Sequence, residues 1–216
     1  MGMSRSIAEK PSAAPRNRRP AELTVTRIVD VATRIVEDEG LAKLTMRRLA
    51  AELGVTPMAF YAHVPTKGRL QELIADRYLA DLDLAKSSRR WDARLLRIFT
   101  SFRDHMLEHP ILAQVLTSQT VDVPATHRMA DTVLGILRDH GFSDREAVEM
   151  FAILANFTVG WVVGQQARVH DLPDRIAELG AATEYPNLSA VAAEYVKWPR
   201  SKAFERGLRH LMSVYG

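Results

Sequence analysis

Residues 44–64 read LTMRRLAAELGVTPMAFYAHV, and this stretch decides the fold. Thr45 stands where a threonine caps a helix, and Met46, Leu49, Ala50 and Leu53 follow at helical spacing. Gly54 and Val55 then form a tight turn that a β-carbon at position 54 would resist. Thr56-Pro57 is a cap followed by proline at the first helical position, opening a second short helix to about His63. Two short capped helices about a glycine turn make a helix-turn-helix, with Leu49, Ala50, Leu53, Val55 and Phe60 as its packing face.

Working outward, Ile28, Val31, Ala32, Ile35 and Val36 repeat at helical spacing until Gly40 stops them. Thr66 caps a longer helix from Lys67 to about Leu84, built on Leu70, Leu73, Ile74 and Tyr78. After a Ser-Ser-Arg-Arg break, helices are expected near 91–109, 111–119, 124–139, 144–169, 187–197 and 200–215. Gly141 ends one of them, and Ser143-x-x-Glu146 is a capping box opening the next. Residues 170–186, with two prolines and a glycine, read as irregular. No alternating strand pattern and no repeat at solenoid periods occurs. The expected fold is all-α. Residues 1–20 form a disordered basic arm, residues 21–66 a helix-turn-helix domain, and residues 67–216 a helical body for effector binding and dimerisation.

Composition narrows the function. The chain has 216 residues, 47% hydrophobic and 25% charged, the balance of a globular protein, and no cysteine. That excludes disulfide frameworks, cysteine-ligated zinc and thiol catalysis. The first twenty residues carry Arg5, Lys10, Arg16, Arg18 and Arg19 against Glu9 alone, with no apolar core of a secretory signal. The apolar run from Phe151 to Gly164 is short of a ~20-residue membrane span. It reads as a buried helix, and the expected location is cytoplasmic. Residues 1–70 hold twelve Lys and Arg against seven Asp and Glu, whereas the remainder is slightly acidic. A basic front on an acidic body suits a nucleic-acid contact at one end.

The exposed chemistry of the motif agrees. Thr45 and Arg47 stand where the first short helix would cross the DNA backbone. Thr56, Pro57, Met58 and Ala59 begin the reading helix, a small and mostly apolar surface suited to thymine methyl groups. Tyr61, His63 and Lys67 can donate to phosphates.

Residues 23–84 closely resemble the DNA-binding domain of TetR-family transcriptional regulators, through "RIVDVATRIVEDEGLAKLTMRRLAAELGVTPMAFYAHVPTK" and "RLQELIADRY". The resemblance implies that Tyr61 and Lys67 clamp phosphates and that positions 56–59 read bases. Further on, "NFTVGWVVGQQAR" and "FERGLRHLM" look like the two helices with which tetracycline-repressor-like members build a four-helix dimer interface. Tetracycline repressors carry a drug-holding histidine near the end of the helix after the reading head. The corresponding stretch Ala80–Leu84 has none, which argues against tetracycline–magnesium as the effector.

On this reading the protein is a ligand-responsive repressor and not an enzyme. Its partners are a double-stranded palindromic operator, a small-molecule effector and a second copy of itself, with no cofactor, metal or membrane. The candidate dimer seam is Gly160 and Gly164 on the long helix, with Phe204, Leu208 and Leu211 from the last helix's stripe. The candidate effector cavity is apolar, from Phe99, Phe102, Met106, Met129 and Phe157. His105, Asn156, Trp161 and Gln165 are its polar groups. Two rivals stand beside it: a DNA-binding module without effector, and a helical metalloenzyme using the His105-x-x-Glu-His109 pair, for which no third-ligand motif follows.

Overall fold

The computed structural model describes residues 22–84, 90–166, 178, 184–197 and 200–214, and among these every regular element is helical. The basic arm at 1–20, most of the irregular stretch 170–186 and residues 85–89 lie outside the described residues.

The head starts with α1 (Val25–Glu39), capped by the Thr24 hydroxyl, which accepts from the Arg27 amide at 3.2 Å. One face of α1 buries Ile28, Val29, Ala32 and Ile35. Gly40 ends it at φ 84°, and a single 3₁₀ turn (Leu41–Lys43) leads to α2 (Met46–Leu53). The Thr45 hydroxyl caps α2 through the Arg48 amide at 3.2 Å, and the Thr56 hydroxyl caps α3 (Pro57–His63) through the Ala59 amide at 3.3 Å. Between them Gly54 takes a left-handed conformation, φ 68° and ψ 33°. Phe60 of α3 is fully buried against the head core. Such burial contributes on the order of 2–3 kcal/mol, enough to seat a seven-residue helix with little stability of its own.

Helix α4 (Lys67–Leu79), capped by Thr66, packs on α1 and also on the body helices. Its end differs from the expectation near Leu84. The helical hydrogen bonds stop at Leu79, and the following chain turns onto α5 (Trp91–Glu108). There the Asp83 amide donates to the Ser101 hydroxyl at 3.2 Å, and Arg97 Nε pairs with Asp83 at 2.5 Å. No glycine or proline marks that stop, because contacts with a distant helix replace the local ones.

The body consists of α5, α6 (Pro110–Ser118), α7 (Pro124–Asp139), α8 (Asp144–Gln166), α9 (Pro186–Lys197) and α10 (Arg200–Ser213). Pro110 divides α5 from α6: it lacks an N–H and suits the first helical position. The Ser143–Glu146 capping box is present, with the Ser143 amide donating to Glu146 at 2.9 Å and the Glu146 amide to Ser143 at 3.3 Å. Helix α8 packs on α5, α6, α7 and α10. By length and composition it could cross a bilayer, but its inner face is buried in the body through Ala147, Met150, Leu154, Thr158 and Val162. Its other face carries exposed Val148, Ala152, Ile153, Asn156, Gly160 and Val163.

Candidate nucleic-acid interface

The turn that presents α3 is built from backbone geometry. With Gly54 left-handed, its amide reaches the Ala51 carbonyl at 3.1 Å and the Val55 amide reaches the Ala50 carbonyl at 3.1 Å. Both bonds go to carbonyls in the last turn of α2, the Ala50 carbonyl also accepting from the Gly54 amide. The chain then leaves at the angle that puts Phe60 inward and the start of α3 outward. Thr45, Arg47, Thr56, Pro57, Met58, Ala59, Tyr61, His63 and Lys67 are all exposed. Met58 is the most open apolar side chain of the head, 85% accessible. Tyr61 sits edge-on to buried Phe60, ring centroids 6.0 Å apart, which fixes its ring while leaving the hydroxyl to solvent.

The charges divide into two groups. Arg48 is committed within the fold: it forks onto Glu39 at the end of α1, with one bond of 2.7 Å, and approaches Glu52 at 3.7 Å. Arg48, chiefly by that hydrogen bonding, holds the Glu39 carboxyl below the usual glutamate range. Arg47 and Lys67 have no ion pair among the described residues, so their charge faces solvent. Exposed cations at the starts of α2 and α4, flanking an apolar α3 tip, are arranged to meet phosphates on either side of a groove.

Helix α4 joins this head to the body through two polar contacts that its own sequence pattern does not announce. Gln119, at the end of α6, donates to the Gly68 carbonyl at 3.1 Å. Asp76 accepts from the Ala125 amide at 2.8 Å, capping the first turn of α7.

The body residues singled out from sequence separate into three sets. Phe99, Phe102, Met106 and Met129 are buried core residues, and His105, Phe157, Trp161 and Gln165 are half-buried. Phe157 and Trp161 have ring centroids 5.6 Å apart; Phe157 stacks on Phe204, and Trp161 meets the same ring edge-on. Asn156, expected in the cavity, is exposed on the outer face of α8 beside Gly160. The seam residues also divide. Gly160 is exposed, and Gly164 and Leu211 are half-buried. Phe204 and Leu208, expected at the seam, are 0% and 1% accessible within the chain's own body, so a partner cannot touch them directly. The stripe on α10 is real, but its most apolar edge covers α5 and α8. Sequence reasoning passed over Arg103, buried with its guanidinium 4.6 Å from the Phe204 ring. A lone arginine on an amphipathic helix carries no mark of that position.

The two histidines of the His105-x-x-Glu-His109 pattern are engaged separately. His105 Nδ1 lies 2.9 Å from the Ser101 carbonyl, and the His109 ring stacks on Tyr78. Among the described residues no group of three His, Asp or Glu side chains is placed to hold a metal.

Comparison with known proteins bears on both halves. The family model for bacterial regulatory proteins of the tetR family matches residues 28–73, and that for the tetracyclin repressor-like C-terminal domain matches residues 85–213. The HTH-type transcriptional repressor DrrR1 of Streptomyces coeruleorubidus is 34% identical over 155 residues, 70% of this chain. The chain spans only 55% of that relative's length. The class C tetracycline repressor of Escherichia coli is 32% identical over 84% of this chain and 85% of its own. Among solved structures, ActR of Streptomyces coelicolor in complex with actinorhodin superposes with a TM-score of 0.81 at 28% identity, covering 89% of this chain and 96% of that one.

Proposed function

Because this chain belongs to the TetR family of bacterial transcriptional regulators, we propose that it is a homodimeric repressor of a palindromic operator, released by a small molecule bound in its body. The single observation that carries the reading is the head: a seven-residue α3 seated by buried Phe60, its Thr56–Ala59 tip exposed, flanked by the free cations Arg47 and Lys67. The Thr56–Ala59 tip reads base edges, and Arg47, Tyr61 and Lys67 hold phosphates, with Thr45 and His63 beside them.

A two-fold dimer places two such tips on successive turns of one DNA face. The outer face of α8, with Val148, Ile153, Gly160 and Val163, supplies the apolar seam together with Leu211 and Val214 at the end of α10. Gly160 gives no side chain to hold two backbones apart, and a Cβ built there meets nothing within 4 Å of the lone chain. Val163→Asp, placed on that face, is expected to yield a monomer in sedimentation; an unchanged dimer would move the seam elsewhere.

The effector enters the body among Phe102, Met106, Met129, Phe157 and Trp161, with His105 and Gln165 as polar contacts. ActR, solved with actinorhodin bound, supports a body of this kind as a small-molecule receptor. Helix α4 carries the response, since Gln119 and Asp76 tie it to α6 and α7 while its other face packs on α1. Coupling of ~1–3 kcal/mol would change operator affinity about 5–150-fold.

The test is binding of the purified protein to DNA upstream of its own gene across a salt series. Lys67→Ala and Arg47→Ala are each expected to weaken binding uniformly across sequences and to lower the salt slope by about 1. Tyr61→Phe is expected to weaken it without changing the slope. Binding that is non-selective, or indifferent to all three changes, would refute the head as the reader.

A further inference from the structure

Tyr78 of α4 stands where head, connecting helix and body meet. Its hydroxyl donates to Glu37 Oε1 at 3.0 Å, on the last turn of α1. Its ring lies over that of His109, between α5 and α6, with centroids 3.9 Å apart and planes 19° from parallel. Burial first, and then the hydrogen bond to Glu37, raise the Tyr78 pKa above the ordinary tyrosine range, so the hydroxyl remains a donor.

The stacked pair borders two adjoining clefts. One, of about 520 Å³, has apolar walls from Val36 and Leu41 of the head and Pro110 and Ile111 of the body. The other, of about 470 Å³, is polar and includes Arg77 and Asp81. Glu37 and Glu108 line both. The Glu37 carboxylate is given the Tyr78 hydrogen bond but no ion pair, and Glu108 has neither among the described residues. Arg77 belongs only to the polar cleft, so the apolar one holds two carboxylates and no Lys or Arg.

A cleft of this volume suits a molecule of about three fused rings. Its apolar walls and aromatic pair favour a flat hydrophobic body, and the unneutralised carboxylates favour positive charge on it. We propose that the apolar cleft at the head–body junction is a second small-molecule site, selective for a planar organic cation and separate from the aromatic interior of the body. A ligand there touches α1, α4 and the α5–α6 corner at once, and so restrains the head against the body. That consequence rests on the regulatory reading above; the site itself does not.

The probe is proflavine, a planar three-ring cation, titrated into the full-length protein without DNA and followed by fluorescence anisotropy. Anthracene-9-carboxylate, of similar shape and opposite charge, is the competitor. The expected result is one saturable dye per protomer, at least tenfold weaker binding in the Glu37→Gln/Glu108→Gln variant, and no competition by the carboxylate. Both glutamates are exposed, and a glutamine carbonyl still accepts from Tyr78, so the variant keeps the fold; an unchanged thermal transition verifies this. Equal binding by both proteins, or effective competition by the carboxylate, overturns the proposal. So does dye binding that survives in the double variant and is lost in Trp161→Ala, which places the dye in the body. Operator binding of the dye-free protein is read separately, so failure here and failure of the repressor reading are distinguishable.

Discussion

Gly54→Ala isolates the cost of the turn between α2 and α3. Gly54 sits at φ 68°, and a Cβ built on it meets nothing within 4 Å. Steric exclusion by neighbours therefore adds nothing, and the whole penalty is backbone strain, about 1–2 kcal/mol for an L-residue in the left-handed region. Alanine also restricts the unfolded chain, which offsets about 0.4–1 kcal/mol. The net loss is about 0.5–1.5 kcal/mol, and asparagine, which tolerates this conformation, should lose less. The assay must see the head. Trp91, Trp161 and Trp198 are the chain's three tryptophans, and all lie beyond it, so intrinsic fluorescence reports the body alone. Amide exchange by mass spectrometry on peptides spanning 44–64 reads local opening directly. Protection there is expected to fall up to about tenfold in Gly54→Ala, less in Gly54→Asn and most in the β-branched Gly54→Val, while body peptides stay unchanged. Equal protection in all four proteins would show that the left-handed turn does not limit the head. A loss beyond about 3 kcal/mol in alanine would show crowding that the open space around Gly54 rules out.

Gly207→Ala tests the opposite case, since a Cβ there would come within 2.6 Å of the Phe157 ring. Overpacking of about 1–3 kcal/mol, less about 0.5–1 kcal/mol gained in helix propensity, should lower the urea midpoint and perturb Trp161 fluorescence. The loss should shrink in a Phe157→Leu background, and an equal loss there would exclude ring contact as the cause. Asp76→Ala removes the acceptor for the Ala125 amide at the first turn of α7, at a cost of about 1–2 kcal/mol in chemical denaturation. Full recovery in Asp76→Asn would show that the hydrogen bond matters and the charge does not. Glu39 is held below its usual 4.5 by Arg48, so its contribution is present above that pH and lost as pH falls through the lower folded-state value. The stability gap between wild type and Glu39→Gln, read as head amide protection, should therefore be constant near neutrality and close on acidification below about 4.5. A gap independent of pH would mean that the carboxylate charge is not what binds α1 to α2.

What was legible in the sequence was local. The Thr45, Thr56 and Thr66 caps and the Ser143–Glu146 box are bonds between residues three apart. Their partners are therefore set by chain order alone. Gly54 could be read because its conformation is a property of one residue, and the α5–α6 boundary because Pro110 has no amide hydrogen to continue a helix. The same local chemistry places Phe60 inward and the start of α3 outward, so the exposed face of the head was legible in the sequence. Thr24 gave the same capping signal and was passed over.

The tertiary structure decided every question about which surface meets which. Periodicity put Phe204, Leu208 and Leu211 on one stripe, yet only packing showed that Phe204 and Leu208 close the chain's own body and Leu211 lies at its edge. The end of α4 at Leu79 depends on Ser101 and Arg97, and the junction of Glu37, Tyr78 and His109 joins residues up to 72 positions apart through side chains with no shared motif. The physical reason is one of range. A hydrogen bond within a helical turn is encoded by neighbours along the chain, and amphipathicity records that a face will be buried. The partner that buries it is chosen by shape and volume once distant helices meet, and no stretch of sequence carries that choice by itself.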